Sequence, residues 1–145
     1  MFTAILCPVD FSPHSERALA YAIGMAKLSG AHLTIVTVVD ALLDAASHAT
    51  GSGGALAMQT QQEIQALLSR VSDEQGAPVE RPAIAVVVGE PAEEILKQAI
   101  DCGADLIVMG TQGLSAARRF VFGSTTDKVL RESHVPVLAV PSPLD

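Results

Sequence analysis

Cysteine is scarce in this chain: two among 145 residues, Cys7 within an apolar run and Cys102 ahead of Gly103. No third or fourth cysteine completes a zinc site and no disulfide framework can be drawn, so a reducing cytoplasm is the expected setting. A chain of this length buries enough surface to fold without covalent staples. No segment has the length needed to cross a bilayer, and no basic leader precedes Met1-Phe2-Thr3-Ala4-Ile5-Leu6. Neither membrane spanning nor secretion is expected. Positive charge is also short, with nine Lys and Arg against sixteen Asp and Glu and a net charge of −7. That balance disfavours nucleic acid and anionic membranes as partners. There is no internal repeat and no second composition block, so one domain is expected over residues 1–145.

What the chain has in quantity is apolar residues, 49% of the total, in two alternating patterns. Residues 2–9, 32–39, 82–88, 105–109 and 135–140 are short runs rich in Val, Ile and Leu, as in strands covered on both faces. Between them, Ala18, Leu19, Ala22, Ile23 and Ala26 repeat at helical spacing, as do Ile64, Leu67, Leu68 and Val71, and Ala92, Ile95, Leu96, Ala99 and Ile100. Ser12-Pro13 suits a helix start and Gly30 a helix end. Strand alternating with helix predicts an α/β fold, a five-stranded parallel sheet with right-handed crossovers and four helices on its two faces. Residues 40–57, where Ala, Ser, Gly and Asp cluster around Gly51-Ser52-Gly53-Gly54, are expected to form a mobile loop.

Ligands of such sheets bind beyond the carboxyl ends of the strands. The first strand runs out through Pro8-Val9-Asp10-Phe11-Ser12 and the second through Val38-Val39-Asp40. The fourth runs through Met109-Gly110 into Thr111-Gln112-Gly113, then nine residues, then Gly123-Ser124-Thr125-Thr126 at the start of a helical segment. Gly110 and Gly113 let the backbone turn tightly and approach a ligand. Free amides at the helix start, aided by aligned peptide dipoles, favour a phosphate. Between residues 110 and 131 four basic residues, Arg118, Arg119, Lys128 and Arg131, face Asp127 alone, which marks this stretch as the place for an anion. Each glycine taken singly is an ordinary turn residue, and Ser124 with Asp127 reads equally as a capping box. The coincidence of three glycines, two hydroxyls and local positive charge in one strand-to-helix loop favours a ligand site.

Gly110-x-x-Gly113-x9-Gly123-Ser124 matches without gaps the G-2x-G-9x-G-(S/T) nucleotide motif of the universal stress protein family, which the chain resembles over essentially its whole length. Pro8-Val9-Asp10-Phe11-Ser12 is similar to that family's first strand end and Val135-Pro136-Val137-Leu138-Ala139-Val140 to its last strand. The resemblance implies a Rossmann-like five-stranded domain, usually a homodimer, with an ATP site in motif-bearing members. Carried over by position, Asp10 would contact the adenosine portion and Val38 would meet the adenine through its backbone. Met109 and Gly110 would line the adenine and ribose, while Gly113, Gly123, Ser124 and Thr125 would hold the phosphates. Gln112 and Leu114 depart from the family, which often carries His and a basic or polar residue there.

The remaining candidates are weaker. His14, His32, His48 and His134 have no partner at metal-ligand or triad spacing. Glu93-Glu94 suits the acidic first turn of a helix, and Cys7 has no neighbouring cation to favour its thiolate. No phosphate-loop lysine and no evident general base are present, so binding is expected rather than rapid phosphoryl transfer; Asp10 or Asp40 would assist a Mg2+ ion, and slow ATP hydrolysis stays open. The expected role is an ATP-binding, cytoplasmic stress-response sensor or regulator. The alternatives are a nucleotide-independent dimeric or chaperone-like scaffold and an ATP-consuming transferase. The last strand, apolar and at a sheet edge, is expected to pair two copies through Val137, Leu138, Ala139 and Val140.

Overall fold

The computed structural model describes residues 1–51, 53–76, 79–112 and 122–142. Five parallel strands, β1 (Ala4–Pro8), β2 (His32–Val39), β3 (Ala83–Val88), β4 (Leu106–Gly110) and β5 (Val137–Val140), lie in the order β3-β2-β1-β4-β5. Among the described residues there are five helices: α1 (Pro13–Ser29), α2 (Ala41–Ala49), α3 (Gly53–Glu74), α4 (Pro91–Asp101) and α5 (Ser124–Glu132). The α/β single-domain fold with a five-stranded parallel sheet is as the alternation of patterns implied.

Each face of the sheet has its own core. Ile5, Cys7 and Val9 of the first strand and its exit pack with Leu33, Ile35, Leu106 and Val108 against the α1 stripe and Ile64, Leu67 and Val71 of α3. Leu6, Val36, Ile107 and Met109 point the other way, onto Ala92, Ile95 and Ala99 of α4 and Val129 of α5. The strict alternation along β1 is the two-residue period of a strand covered on both sides. Burial pushes the Cys7 thiol up, so it stays protonated and acts as a core side chain. One member of the α4 stripe departs from expectation: Ile100 is 73% exposed, because the helix ends one residue later and the chain turns away at Cys102.

Helix α1 starts and stops as its sequence indicates. Ser12 Oγ accepts the Ser15 amide, Pro13 occupies the first turn, and Gly30 closes the helix at φ 69°. The expectation of a mobile loop over residues 40–57 is overturned. Asp40 Oδ1 accepts the amides of Leu42 (2.8 Å) and Leu43 (3.2 Å) and nucleates α2, and Ala41, Ala45, Ala46 and Ala49 supply helix propensity. After α2, Gly51 turns at φ 81°. Yet α2 buries no residue, and Leu42 and Leu43 are 82% and 57% exposed.

Candidate functional site

The strand order reverses between β1 and β4: from β1 the chain proceeds to β2 and β3 on one side, and from β4 to β5 on the other. A crevice opens at the carboxyl end of such a switch point, and here a single residue fixes where it begins. On one side, β1 stays bound to β2 to its end, with Pro8 opposite Val36 and the Val9 amide donating to the Val36 carbonyl at 2.9 Å. On the other side, pairing with β4 stops at Leu6 opposite Ile107. Backbone polar groups alternate sides along a strand. Since Val9 donates toward β2, the nitrogen of Pro8 faces β4, and proline has no hydrogen to give. The ladder ends there, and the two strands part over the residues leading to Asp10 and Gly110.

Asp10 stands exposed on one lip. Its Oδ1 accepts the Ser12 amide at 3.0 Å and its own amide donates to Ser15 Oγ at 3.2 Å. Ser15 Oγ in turn donates to the Ser12 carbonyl at 3.1 Å. These bonds, made by the buried Ser12 and Ser15, hold Phe11 in the left-handed region at φ 65°, a conformation disfavoured for a bulky side chain and sustained only where the surroundings fix it. Val38 lies in β2 opposite Val87, half-buried. Met109 is buried in the layer facing α4 and α5.

The other lip is β4 and the start of α5. Gly110 is a packing requirement as well as a turn residue: a Cβ there would lie 2.6 Å from His14 Cβ and 2.8 Å from the His14 carbonyl carbon. Its absence lets the first turn of α1 settle on the end of β4. Thr126 Oγ1 donates to the Gly110 carbonyl at 2.8 Å, the Thr111 amide to the Val140 carbonyl at 3.0 Å, and the Gly123 amide to the Thr111 carbonyl at 2.9 Å. His14 Nδ1 is 3.3 Å from Thr111 Oγ1. The start of α5 is thereby fixed beside the exit of β4.

Gly123, not Ser124, is the cap of α5, and no side chain caps it. The capping-box reading of Ser124 with Asp127 fails because Ser124 is already the first helical residue. By contrast, Ser12, Asp40 and Glu90 cap α1, α2 and α4 with their side chains. Glu90 accepts the Glu93 and Ala92 amides at 2.8 and 3.3 Å. Those backbone donors, together with Lys128, hold its carboxyl below the usual glutamate range. No side-chain cap hydrogen bond closes α5, and Asp127 is the acidic residue of its first turn, so the cap position itself is left to the backbone. Ser124 is exposed and Thr125 half-buried at that end.

The positive charge expected to assist is partly committed elsewhere. Lys128 Nζ lies 3.7 Å from Glu90 Oε2 and 3.5 Å from Glu93 Oε1, and Arg131 Nε lies 3.1 Å from Asp127 Oδ2. Both are ion pairs along the flanks of α5. Arg118, Arg119, Leu114 and Gly113 fall outside the described residues. Asp40 spends Oδ1 on capping α2, and no group of three or more His, Cys, Asp or Glu able to hold a metal ion occurs among the described residues. The carboxyl end of the sheet therefore carries Asp10 beyond β1, and Gly110, Gly123, Ser124 and Thr125 at the end of β4 and the start of α5. It also recruits Pro8, Ser12, His14, Ser15 and Thr111, of which only the first two belong to a motif visible in the sequence.

A depression of about 720 Å³ at the opposite end of the sheet is lined by Ala26, Lys27, Gly30, Ala31, His32, Val79, Glu80 and Arg81. It sits at the carboxyl end of α1, where the dipole is negative and opposes an anion.

The profile of the universal stress protein family matches residues 1–141. The chain is 36% identical over 141 residues to a universal stress protein of Thermus aquaticus, covering 97% of this chain and 99% of that one. Universal stress protein MJ0577 of Methanocaldococcus jannaschii is 30% identical over 155 residues, covering 97% and 95% of the two chains. The solved structure of MJ0577 superposes with a TM-score of 0.77 at 29% identity, over 100% of this chain and 99% of that one. A universal stress protein solved in complex with cAMP superposes with a TM-score of 0.69 at 26% identity, over 98% of each chain. From the matched length and these identities, the chain belongs to the universal stress protein family.

Proposed function

We propose that this protein binds ATP in the β1–β4 crevice and acts as a nucleotide-dependent regulator of a stress response in the cytoplasm. The observation that carries the reading is the start of α5: a glycine cap, no capping side chain, and an exposed Ser124 beside the switch point of the sheet. A polyphosphate at that cap would meet the first amides of the helix and its dipole together. The cAMP complex of a family member supports an adenine nucleotide as the class of ligand. In this reading Asp10 meets the adenosine portion, Val38 the adenine through its backbone, and Met109 and Gly110 line the adenine and ribose. Gly113, Gly123, Ser124 and Thr125 receive the phosphates.

Bound ATP brings its own charge to the crevice, and a Mg2+ ion on the phosphates would find the free carboxylate oxygen of Asp10 on the facing lip. The chain's own groups orient and neutralise; none of those described is placed to activate water, so the reading is one of binding. Pairing of two copies through β5 is part of it. That strand forms one edge of the sheet, exposing Leu138 and half-exposing Val137 and Ala139, while Pro136 and Pro141 limit the contact to a short segment.

The test is mass spectrometry of small molecules released by acid from the purified protein, followed by calorimetric titration with ATP, AMP and GTP. Adenine nucleotide in the release, or ATP binding tighter than GTP, supports the reading. No heat with any of the three, and no nucleotide released, would favour the nucleotide-independent scaffold.

A further inference from the structure

We infer that His14 is a positioning residue for the nucleotide: its hydrogen bond to Thr111 holds the two lips of the crevice at a fixed separation. The inference deepens the proposed ATP site and rests on that reading. Pro8 ends backbone pairing between β1 and β4 at Leu6 and Ile107, so the adenosine lip at Asp10 and the phosphate lip at α5 lack a ladder between them. The first turn of α1 crosses the gap. Its His14 packs against Gly110, where a Cβ would come within 2.6 Å, and its Nδ1 reaches Thr111 Oγ1 at 3.3 Å.

Thr111 is the right residue to hold. Its carbonyl receives the Gly123 amide, its own amide donates to Val140, and it is buried. Whatever fixes Thr111 fixes the cap of α5 and hence the direction of the amides at Ser124 and Thr125. On the other side, His14 continues directly from Ser12-Pro13, which Asp10 grips through the Ser12 amide. A ligand spanning both lips needs their separation preset. Each unit of preorganisation is one the ligand does not supply on binding.

The experiment combines a double-mutant cycle with a readout in the ligand-free protein. ATP affinity is measured by calorimetry for the wild type, His14→Leu, Thr111→Val, the double variant and His14→Asn, whose amide places a polar atom near the position of Nδ1. The expected result is a loss of about fivefold in each of the first two variants, no further loss in the double variant, and recovery to within about twofold in His14→Asn. Without ligand, hydrogen exchange at the Gly123 amide is expected to quicken in His14→Leu and to return toward wild type in His14→Asn. Additive losses in the cycle, unchanged affinity in His14→Leu, or failure of His14→Asn to restore the Gly123 amide would overturn the inference. A wild-type protein that binds no ATP sinks the proposed function instead, while the exchange measurement still decides whether His14 holds Thr111.

Discussion

The two ends of the sheet are built from the same parallel strands and differ in how their polar groups are satisfied. At the amino end, the Asp105 carboxylate accepts the Thr3 amide at 2.8 Å, Thr3 Oγ1 at 2.9 Å and the Ala4 amide at 3.1 Å, and the Asp105 amide donates to the Ala4 carbonyl at 2.8 Å. There β1 and β4 are tied together. At the carboxyl end the same two strands separate behind Pro8, a non-glycine residue is held in the left-handed region, and α5 begins without a capping side chain. One end spends its hydrogen bonds on joining β1 to β4. The other begins its helix on a glycine with no side-chain cap and holds a strained backbone at Phe11, features that stability alone does not select.

The largest effect that sharpens this contrast is expected at Gly110. Gly110→Ala places a Cβ against the backbone and Cβ of His14 and is expected to destabilise the fold by about 2 kcal/mol or more; urea unfolding with an unchanged slope checks it. Gly113→Val is expected to weaken ATP binding by more than about tenfold, because a branched side chain enters the phosphate path that the motif assigns to that glycine. Ser124→Ala removes one hydroxyl while leaving the amides, an expected loss of about 1 kcal/mol or roughly fivefold. Equal affinity in both variants would move the phosphates elsewhere.

Pro8→Ala probes the break itself. The new amide faces β4 and can extend the ladder, so ATP must reopen one hydrogen bond, an expected two- to tenfold loss by the rough worth of such a bond. Slowed exchange of the new amide would confirm the added pairing, and a fast-exchanging amide would show that something other than Pro8 separates the strands.

At the amino end the expected effect is on pH dependence and leaves the ligand untouched. Amides of Thr3 and Ala4 hold the Asp105 carboxyl below its ordinary value of 3.8. A carboxylate favoured in the folded state adds stability above that ordinary value and loses it as pH falls through the lower folded one. Asp105→Asn is therefore expected to flatten the fall in urea midpoint below about pH 4 while ATP affinity stays at the wild-type level. The smallest effect belongs to the depression near α1's carboxyl end, where Lys27→Ala and Arg81→Ala are expected to leave ATP affinity unchanged in calorimetry.

Most of the frame was legible in the chain because it depends on local periodicity. The five apolar runs became strands within one or two residues of their expected ends, and Ser12, Pro13 and Gly30 marked α1 as capping chemistry dictates. Helix α2 was missed because its evidence is a cap and an alanine run beside glycines, with no buried stripe to give it a period. The capping-box alternative for Ser124 and Asp127 could not be settled by spacing, because only the backbone reveals Gly123 as the cap of α5. His14 looked unpartnered because Thr111 lies 97 residues away in sequence. Spacing rules see neighbours along the chain, and this partnership exists only after β4 is laid beside β1. Pro8 was visible as part of a motif, but its effect on the ladder depends on which neighbour its nitrogen faces.

The central claim is that main-chain amides at the start of α5 receive the phosphates of ATP. An ATP titration followed by backbone amide NMR tests it most directly. The expected result is the largest shifts at Ser124 and Thr125, with smaller ones at Asp10, Gly110 and Thr111. Shifts gathered around Lys27, His32 and Arg81, with Ser124 and Thr125 unmoved at saturating ATP, would contradict it.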